Sequence, residues 1–395
     1  MNHRDACLKC TICISACPVY RSDGEFPGPK ALGPEWHRMQ AAGETVVMDH
    51  VEDCTFCQLC ELACPVGVPI AHLIAQQKDL ARAHQSPVVR LRDAILTHPE
   101  WVARAPRLSR TPSAVSRVLH LSTTSRRPRP RSAHPISISG GGKVRARVGL
   151  FVDCFDRGFD EETLVAAQAL LGEWGYDVHL MPKASLCCGA AAYASGRIDQ
   201  ARQQGMAMRT AICENLEGLE VKALITLNAT CDGTIDEEWA TYLGIDPLPI
   251  PVIAFHQFAL DQAPKAFWDT LETSPVWTHT TCRGRRHGDG SLGALARVAN
   301  IPSQALDLEC CGAAGSYAFK AEHEATAHRM ASTAKPQVKN LSGELWVDSG
   351  TCAIHLEQVL GLSARHPAYW LYRRWQAGMG AGQTATNPGD SRPGI

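Results

Sequence analysis

Of the seventeen cysteines in this 395-residue chain, eight fall within the first 65 residues as two copies of one pattern. Cys7, Cys10, Cys13 and Cys17 are followed by Pro18, and Cys54, Cys57, Cys60 and Cys64 by Pro65. This spacing wraps a short loop round an iron–sulfur cubane and sends the fourth thiolate to a second one. One 4Fe–4S cluster is therefore expected on Cys7, Cys10, Cys13 and Cys64, and another on Cys17, Cys54, Cys57 and Cys60. Crossed ligation of this kind sets the two clusters roughly 10–12 Å apart, close enough for fast electron hopping. The chemistry begins as one-electron transfer. Zinc sites more often present two Cys-x₂-Cys pairs joined by a long spacer. A disulfide framework needs a secreted chain, and Met1 to Asp5 has no signal-peptide character.

The elements that must hold these thiols can be read from composition and periodicity. A chain of 42.8 kDa is expected to form two or three domains with ample cores. A formal net charge of −1 gives no field that would point to nucleic acid. So many cysteines without a leader imply a reducing, cytoplasmic compartment. Mostly apolar stretches such as Ala146 to Val152 and Val221 to Leu227 are strand-sized, far below the ~20 residues a bilayer span needs.

Residues 1–100 read as helical. Gly33-Pro34 precedes a short helix from Glu35 to Ala42, then Ile70, Leu73, Ile74 and Leu80 recur at helical spacing, followed by Val89, Leu91, Ile95 and Leu96. Residues 101–142 lack acidic side chains and are rich in arginine, proline and, at the end, glycine. They read as a flexible linker. The rival reading is a basic surface (Arg126, Arg127, Arg129, Arg131) for anionic lipid or an acidic partner, with Val115, Val118, Leu119 and Leu121 as an apolar stripe. The tail, 379–395, is expected to be disordered.

Between them the chain repeats itself. Strand-like Val144 to Val152 leads to Cys154, and a helix follows from Glu162 to Trp174. The strand Asp177 to Met181 leads to Cys187-Cys188-Gly189, the helix Ile198 to Leu216 comes next, and Lys222 to Leu227 ends near Cys231. A second copy runs from Val276 to Thr280 and Cys282, through a helix near Leu292 to Ala299, to Cys310-Cys311-Gly312. A helix from about Glu322 to Lys335 and a strand, Glu344 to Val347, then lead to Cys352. Strands alternating with helices imply duplicated α/β domains with parallel sheets, 143–270 and 271–378. In such sheets sites lie at the carboxyl ends of strands. The expected class is thus α+β and multidomain: an all-helical two-cluster ferredoxin-like domain, then two α/β Cys-Cys-Gly domains.

Adjacent cysteines at matching places in two repeats are hard to assign to packing. Thiolates so crowded repel one another unless a metal neutralises them. Cys154, Cys187, Cys188 and Cys231 are a candidate third ligand set, and Cys282, Cys310, Cys311 and Cys352 a fourth. Gly189 and Gly312 are expected to let the main chain pass close to the bound group. Vicinal dithiol redox chemistry is the competing reading.

These motifs resemble those of the iron–sulfur C subunit of anaerobic glycerol-3-phosphate dehydrogenase. They are also similar to the glycolate oxidase iron–sulfur subunit, the lactate-utilisation iron–sulfur protein and the B subunit of heterodisulfide reductase. The likeness rests on the two ferredoxin runs, on Pro27-Gly28-Pro29-Lys30, and on Leu186-Cys187-Cys188-Gly189 and Cys310-Cys311-Gly312 with Gly315 and Tyr317. It implies an electron-transfer protein that carries electrons from a partner flavoprotein, oxidising glycerol 3-phosphate or a 2-hydroxy acid, towards a quinone or other acceptor. Such a protein would be cytoplasmic or peripheral on the inner face of the membrane. No flavin or nicotinamide fingerprint occurs, and Gly140-Gly141-Gly142 precedes a strand rather than a helix. In the five-cysteine version of the block the last ligands form Cys-x-x-Cys, but here Asn228 and Ser349 hold the first of those positions. That departure weighs against a heterodisulfide-reducing catalytic role, the first alternative; a docking module with vestigial sites is the second. His279 and His355, three residues from Cys282 and Cys352, either hydrogen-bond a cluster sulfur, carry protons or are structural. Cys213 reads as core packing.

Overall fold

The computed structural model describes residues 6–44, 46–104, 117–121, 144–182, 186–288, 290–339 and 343–384. Up to Arg104 the described chain is helix and turn: Ile12–Ser15, Pro18–Ser22, a π-helical turn Ala31–Glu35 carrying Pro34, then Trp36–Ala41, Leu59–Leu62, Ile70–Ala81, Pro87–Leu96 and Pro99–Arg104. The helix Ile70–Ala81 buries Ile70, Leu73 and Ile74 at the i, i+3, i+4 spacing of one face, while Leu80 is exposed. Leu73 and Ile74 pack in one core with Val19, Phe26, Leu32 and four of the eight amino-terminal cysteines.

The second long helix departs from expectation. Pro87–Leu96 forms, capped by the Ser86 hydroxyl, which accepts from Val89 N at 3.3 Å. Its fully buried residues are Arg92 and Asp93, and Leu91 is exposed. An ion network explains the rotation. Arg92 reaches Glu322 at 2.7 Å, Asp93 lies 3.2 Å from Lys320, and Arg92 donates to the His120 carbonyl at 3.3 Å. The buried face of this helix thus docks on a distant part of the chain.

Two four-stranded sheets follow. β1 (Ala146–Phe151), β2 (Tyr176–Met181), β3 (Val221–Thr226) and β4 (Val252–Ala254) are ordered β2-β1-β3-β4. β5 (Val276–His279), β6 (Ser303–Ala305), β7 (Glu344–Val347) and β8 (Ser363–Arg365) are ordered β6-β5-β7-β8. Every pairing is parallel, with Ala146 opposite Tyr176 in one sheet and Val276 opposite Glu344 in the other. The same order in both sheets supports a duplicated α/β unit. β4, β6 and β8 were not expected. Each has three residues and lies at a sheet edge, too short to show a period of two.

One hydrophobic core joins the two halves: Trp174, Phe255 and Phe258 of the first pack with Leu292, Leu295, Trp346 and Leu371 of the second. The described parts of the expected linker are held in place, because Ala321 N donates to the His120 carbonyl at 3.0 Å and Leu121 bridges to Lys320. Arg126, Arg127, Arg129, Arg131 and Val115 lie outside the described residues. At the other end the helix Pro367–Thr384 runs past residue 378, where the disordered tail was expected to begin; 385–395 lie outside the description.

Burial alone would raise the Asp93 pKa, but Lys320 and Arg92 outweigh it and hold the carboxyl below its usual range. Its contribution to stability is therefore present above the unfolded value of about 4 and is lost as pH falls through the lower folded value. Replacing Asp93 with Ala strands the buried Lys320 cation and should cost about 3–5 kcal/mol in denaturant unfolding at neutral pH. A loss under about 1 kcal/mol would show that the network does not dock the helix.

Candidate iron–sulfur sites

The two amino-terminal loops share a backbone that few sequences tolerate. Lys9 and Thr11 have φ of 60° and 66°, and at the matching places Phe56 and Gln58 have 58° and 63°. Left-handed backbone at non-glycine residues is held only where the surroundings demand it. Here it turns each loop so that amides face sulfur: Lys9 N lies 3.4 Å from Cys7 Sγ, and Phe56 N lies 3.4 Å from Cys54 Sγ.

The thiols group in the crossed manner. Cys13 feels Cys7, Cys10 and Cys64; Cys17 feels Cys57 and Cys54; Cys60 feels Cys57, Cys54 and Cys17. A small apolar pocket is lined by Cys17, Cys54, Cys57 and Cys60 together, with Phe26 and Ile74 among its walls. Burial, with neighbouring sulfur, pushes Cys17 up to about 12 and Cys60 well above the usual thiol range. Thiolates gathered in such a place need a metal cation to keep them deprotonated. Among the described residues no three His, Cys, Asp or Glu side chains converge as one bare ion would require. Sulfurs spread round a cavity suit a cluster in which each thiolate takes a different iron. The first group is more open, with Cys10 exposed and Cys7 and Cys64 partly so.

Both Cys-Cys-Gly blocks lie where an open parallel sheet places its ligands. Cys154 opens the helix Cys154–Phe159 just after β1, and Cys231 sits in the helix Ala229–Gly233 just after β3. β1 and β3 are neighbours from which the connections diverge, the switch point of the sheet. Cys282 after β5 and Cys352 in the helix Gly350–Leu360 after β7 repeat the arrangement. Cys188 Sγ is 3.4 Å from Cys231 Sγ, and Cys187 contacts both Cys154 and Cys188. Cys311 Sγ is 2.7 Å from Cys352 Sγ, and Cys310 contacts Cys282 and Cys311. All eight expected ligands of the two blocks are thus brought together as two sets of four. Cys213 stands apart on the helix Ile198–Leu216, partly exposed rather than in the core.

Gly189 and Gly312 have φ of 94° and 79°. A Cβ at either would lie 2.6 Å from a helix carbonyl, of Ala201 in one copy and Ala327 in the other. The glycines let each Cys-Cys turn sit against the following helix, while their amides lie 3.4 and 3.5 Å from Cys187 and Cys310 Sγ.

The two non-cysteine positions meet each other. Ser349 Oγ donates to Asn228 Oδ1 at 3.1 Å, and Asn228 Nδ2 donates to Asp153 Oδ2 at 2.9 Å. All three residues are buried, and the Cys231 thiol points at the same Asp153 oxygen from 3.8 Å. The blocks therefore face one another across a polar bridge. Ala229 N donates to the Asp348 carbonyl at 3.0 Å beside it. Nothing in the sequence pattern singled out Asp153, and the pairing of Asn228 with Ser349 needs the folded interface to be seen.

His279 and His355 both stand near Cys311. Burial lowers His279 to about 4, so it is neutral at ordinary pH. His355 Nε2 lies 3.3 Å from the Ala327 carbonyl. A further junction joins all three parts of the chain: Gln58 Nε2 donates to Glu238 Oε1 at 2.5 Å, and the same oxygen pairs with Arg283 at 2.8 Å. Gln58 adjoins Cys57 and Arg283 adjoins Cys282, so this partly buried contact fixes one amino-terminal cysteine loop against the second block. Sequence periodicity carries no signal for it.

If the Asn228–Ser349 bond ties the blocks, Asn228→Ala and Ser349→Ala should each destabilise by about 1–3 kcal/mol. Their double-mutant cycle should show a coupling of about 0.5–3 kcal/mol in unfolding experiments. Strict additivity would contradict the bridge.

Comparison with known proteins agrees with this geometry. Residues 4–68 match the 4Fe-4S dicluster domain family, and residues 148–236 and 276–357 each match the cysteine-rich domain family. The chain is 27% identical to the C subunit of the anaerobic glycerol-3-phosphate dehydrogenase of Escherichia coli strain K12 over 91% of this chain and 96% of that one. It is 23% identical to the D subunit of the dihydromethanophenazine:CoB–CoM heterodisulfide reductase of Methanosarcina barkeri, covering 79% and 78% of the two chains. It is 25% identical to the B subunit of the fumarate reductase (CoM/CoB) of Methanothermobacter marburgensis, covering 78% and 58%. No solved structure matches. These matches support iron–sulfur clusters as the cofactors. The chain is a homologue of the anaerobic glycerol-3-phosphate dehydrogenase C subunit, and it joins a 4Fe-4S dicluster domain to two cysteine-rich domains.

Proposed function

We propose that this chain is the iron–sulfur electron-transfer subunit of a flavin-linked dehydrogenase, with four cysteine quartets as its ligands. Cys7, Cys10, Cys13 and Cys64 hold one cluster, and Cys17, Cys54, Cys57 and Cys60 a second. Cys154, Cys187, Cys188 and Cys231 hold a third, and Cys282, Cys310, Cys311 and Cys352 a fourth. Bound there, the clusters supply one-electron oxidation and reduction. The residues themselves shield and tune. Buried side chains such as Phe26 and Ile74 keep water from the second quartet, and amide groups directed at sulfur favour the reduced, more negative state.

The observation that carries this reading is the crossed grouping of the amino-terminal thiols, of which Cys17, Cys54, Cys57 and Cys60 line one pocket. A partner flavoprotein that oxidises glycerol 3-phosphate or a 2-hydroxy acid follows from homology to the glycerol-3-phosphate dehydrogenase relative. Electron delivery to a quinone, and a peripheral place on the inner face of the membrane, belong to the same proposal. Among the described residues no helix is long and apolar enough to cross a bilayer. The heterodisulfide-reducing alternative loses support because Asn228 and Ser349 are engaged with each other. The vestigial-module alternative expects scattered thiols, whereas each block keeps four linked in a chain of neighbouring contacts.

Substitution followed by EPR of the reduced chain tests the crossed assignment. Cys64→Ser should abolish the same signal as Cys10→Ser, and Cys17→Ser the same signal as Cys57→Ser. If Cys64→Ser instead matches Cys57→Ser, the crossed ligation is wrong.

A further inference from the structure

The four thiol sets are not evenly spaced. Cys57 and Cys310 are in direct side-chain contact, although one belongs to the ferredoxin half and the other to the second Cys-Cys-Gly block. Both are buried, and Cys310 and Met330 share one hydrophobic core with Cys17, Cys57 and Cys60, against which Cys282 also packs. No solvent layer separates these sulfurs. The Gln58–Glu238–Arg283 junction holds the residues next to Cys57 and Cys282 in the same register.

The first block is placed differently. Cys188 and Cys231 lie in another core, which the ferredoxin half enters through Phe56, Ala71 and Ala75 rather than through a thiol. The Phe56 ring meets Tyr193 edge-on, with centroids 5.0 Å apart, between the second ferredoxin loop and that block. From the second block, by contrast, the first is reached through the Ser349–Asn228 bond and Asp153, which the Cys231 thiol faces. Tunnelling rates fall exponentially with the gap between centres, so a contact of two ligand sulfurs outcompetes a path through an aromatic pair.

We propose that electrons cross between the ferredoxin half and the rest of the chain at the Cys57–Cys310 contact, so that the second Cys-Cys-Gly block exchanges electrons with the dicluster domain and the first block lies beyond it. This rests on reading both blocks as iron–sulfur sites. The step is outer-sphere. One electron leaves the centre on Cys17, Cys54, Cys57 and Cys60, which is oxidised, and enters the centre on Cys282, Cys310, Cys311 and Cys352, which is reduced. No bond or proton moves, and the flavoprotein donor supplies the electron. Sequence order would have suggested the opposite, since the first block follows the ferredoxin domain directly.

The test uses the anaerobically purified full chain reduced with dithionite, and it reads the spin relaxation of the Cys17/Cys54/Cys57/Cys60 signal rather than turnover. A paramagnetic neighbour in contact speeds that relaxation. Cys311→Ala, which removes the second-block centre but leaves Cys57 and Cys310 in place, should abolish the enhancement. Cys188→Ala, at the matching place in the first block, should leave it intact. Cys282→Ala and Cys154→Ala form a second matched pair at partly exposed positions, for use if the buried variants do not fold. Enhancement that survives Cys311→Ala or Cys282→Ala, or that vanishes in Cys188→Ala or Cys154→Ala, overturns the route. If no block variant loses iron relative to the parent chain, the proposal falls as well, through the reading of the blocks rather than the route.

Discussion

Burying sulfur anions is the constraint on which this architecture depends. A thiolate moved out of water is costly unless a cation meets it, and a neutral thiol gains little from being crowded against three others. This chain nevertheless gathers sixteen thiols into four sets and seals most of them. The remaining structure can be read as the means of doing so. Left-handed turns at Lys9, Thr11, Phe56 and Gln58 curl the amino-terminal loops, and Gly189 and Gly312 press the Cys-Cys turns against helices. Parallel sheets deliver the other thiols to their carboxyl edges.

Packing then fixes the sets against one another. The dicluster half is clamped by charge as well as by apolar packing: Arg92 and Asp93 engage Glu322 and Lys320, and His323 lies 3.1 Å from Asp53. Lys78 ties a cysteine loop of its own half to the first block, donating to the Cys54 carbonyl at 2.8 Å and to the Ala194 carbonyl at 3.1 Å. Buried pairs of this kind often contribute more to specificity of arrangement than to net stability. Specific arrangement is what electron transfer requires, since its rate depends steeply on separation.

Much of this was legible in the sequence. Doubled spacing and the terminal prolines are the basis of the proposed crossed quartets, and alternating strand and helix patterns located the central strands and the helix Ile198–Leu216 with its observed bounds. What escaped reading has physical causes. Edge strands β4, β6 and β8 are too short for periodicity, and the Pro87–Leu96 helix turns its charged residues inward because their partners lie more than 200 residues away. Asn228 and Ser349 looked like two separate lost ligands. They are one contact, visible only once the two repeats face each other.

Iron and acid-labile sulfide per polypeptide, measured on protein isolated without oxygen and with cluster assembly intact, bear most directly on the claim that buried sulfur here exists to bind metal. Four occupied quartets predict about sixteen irons and as much sulfide per chain. A colourless preparation containing zinc, or one with iron but no labile sulfide, would contradict it.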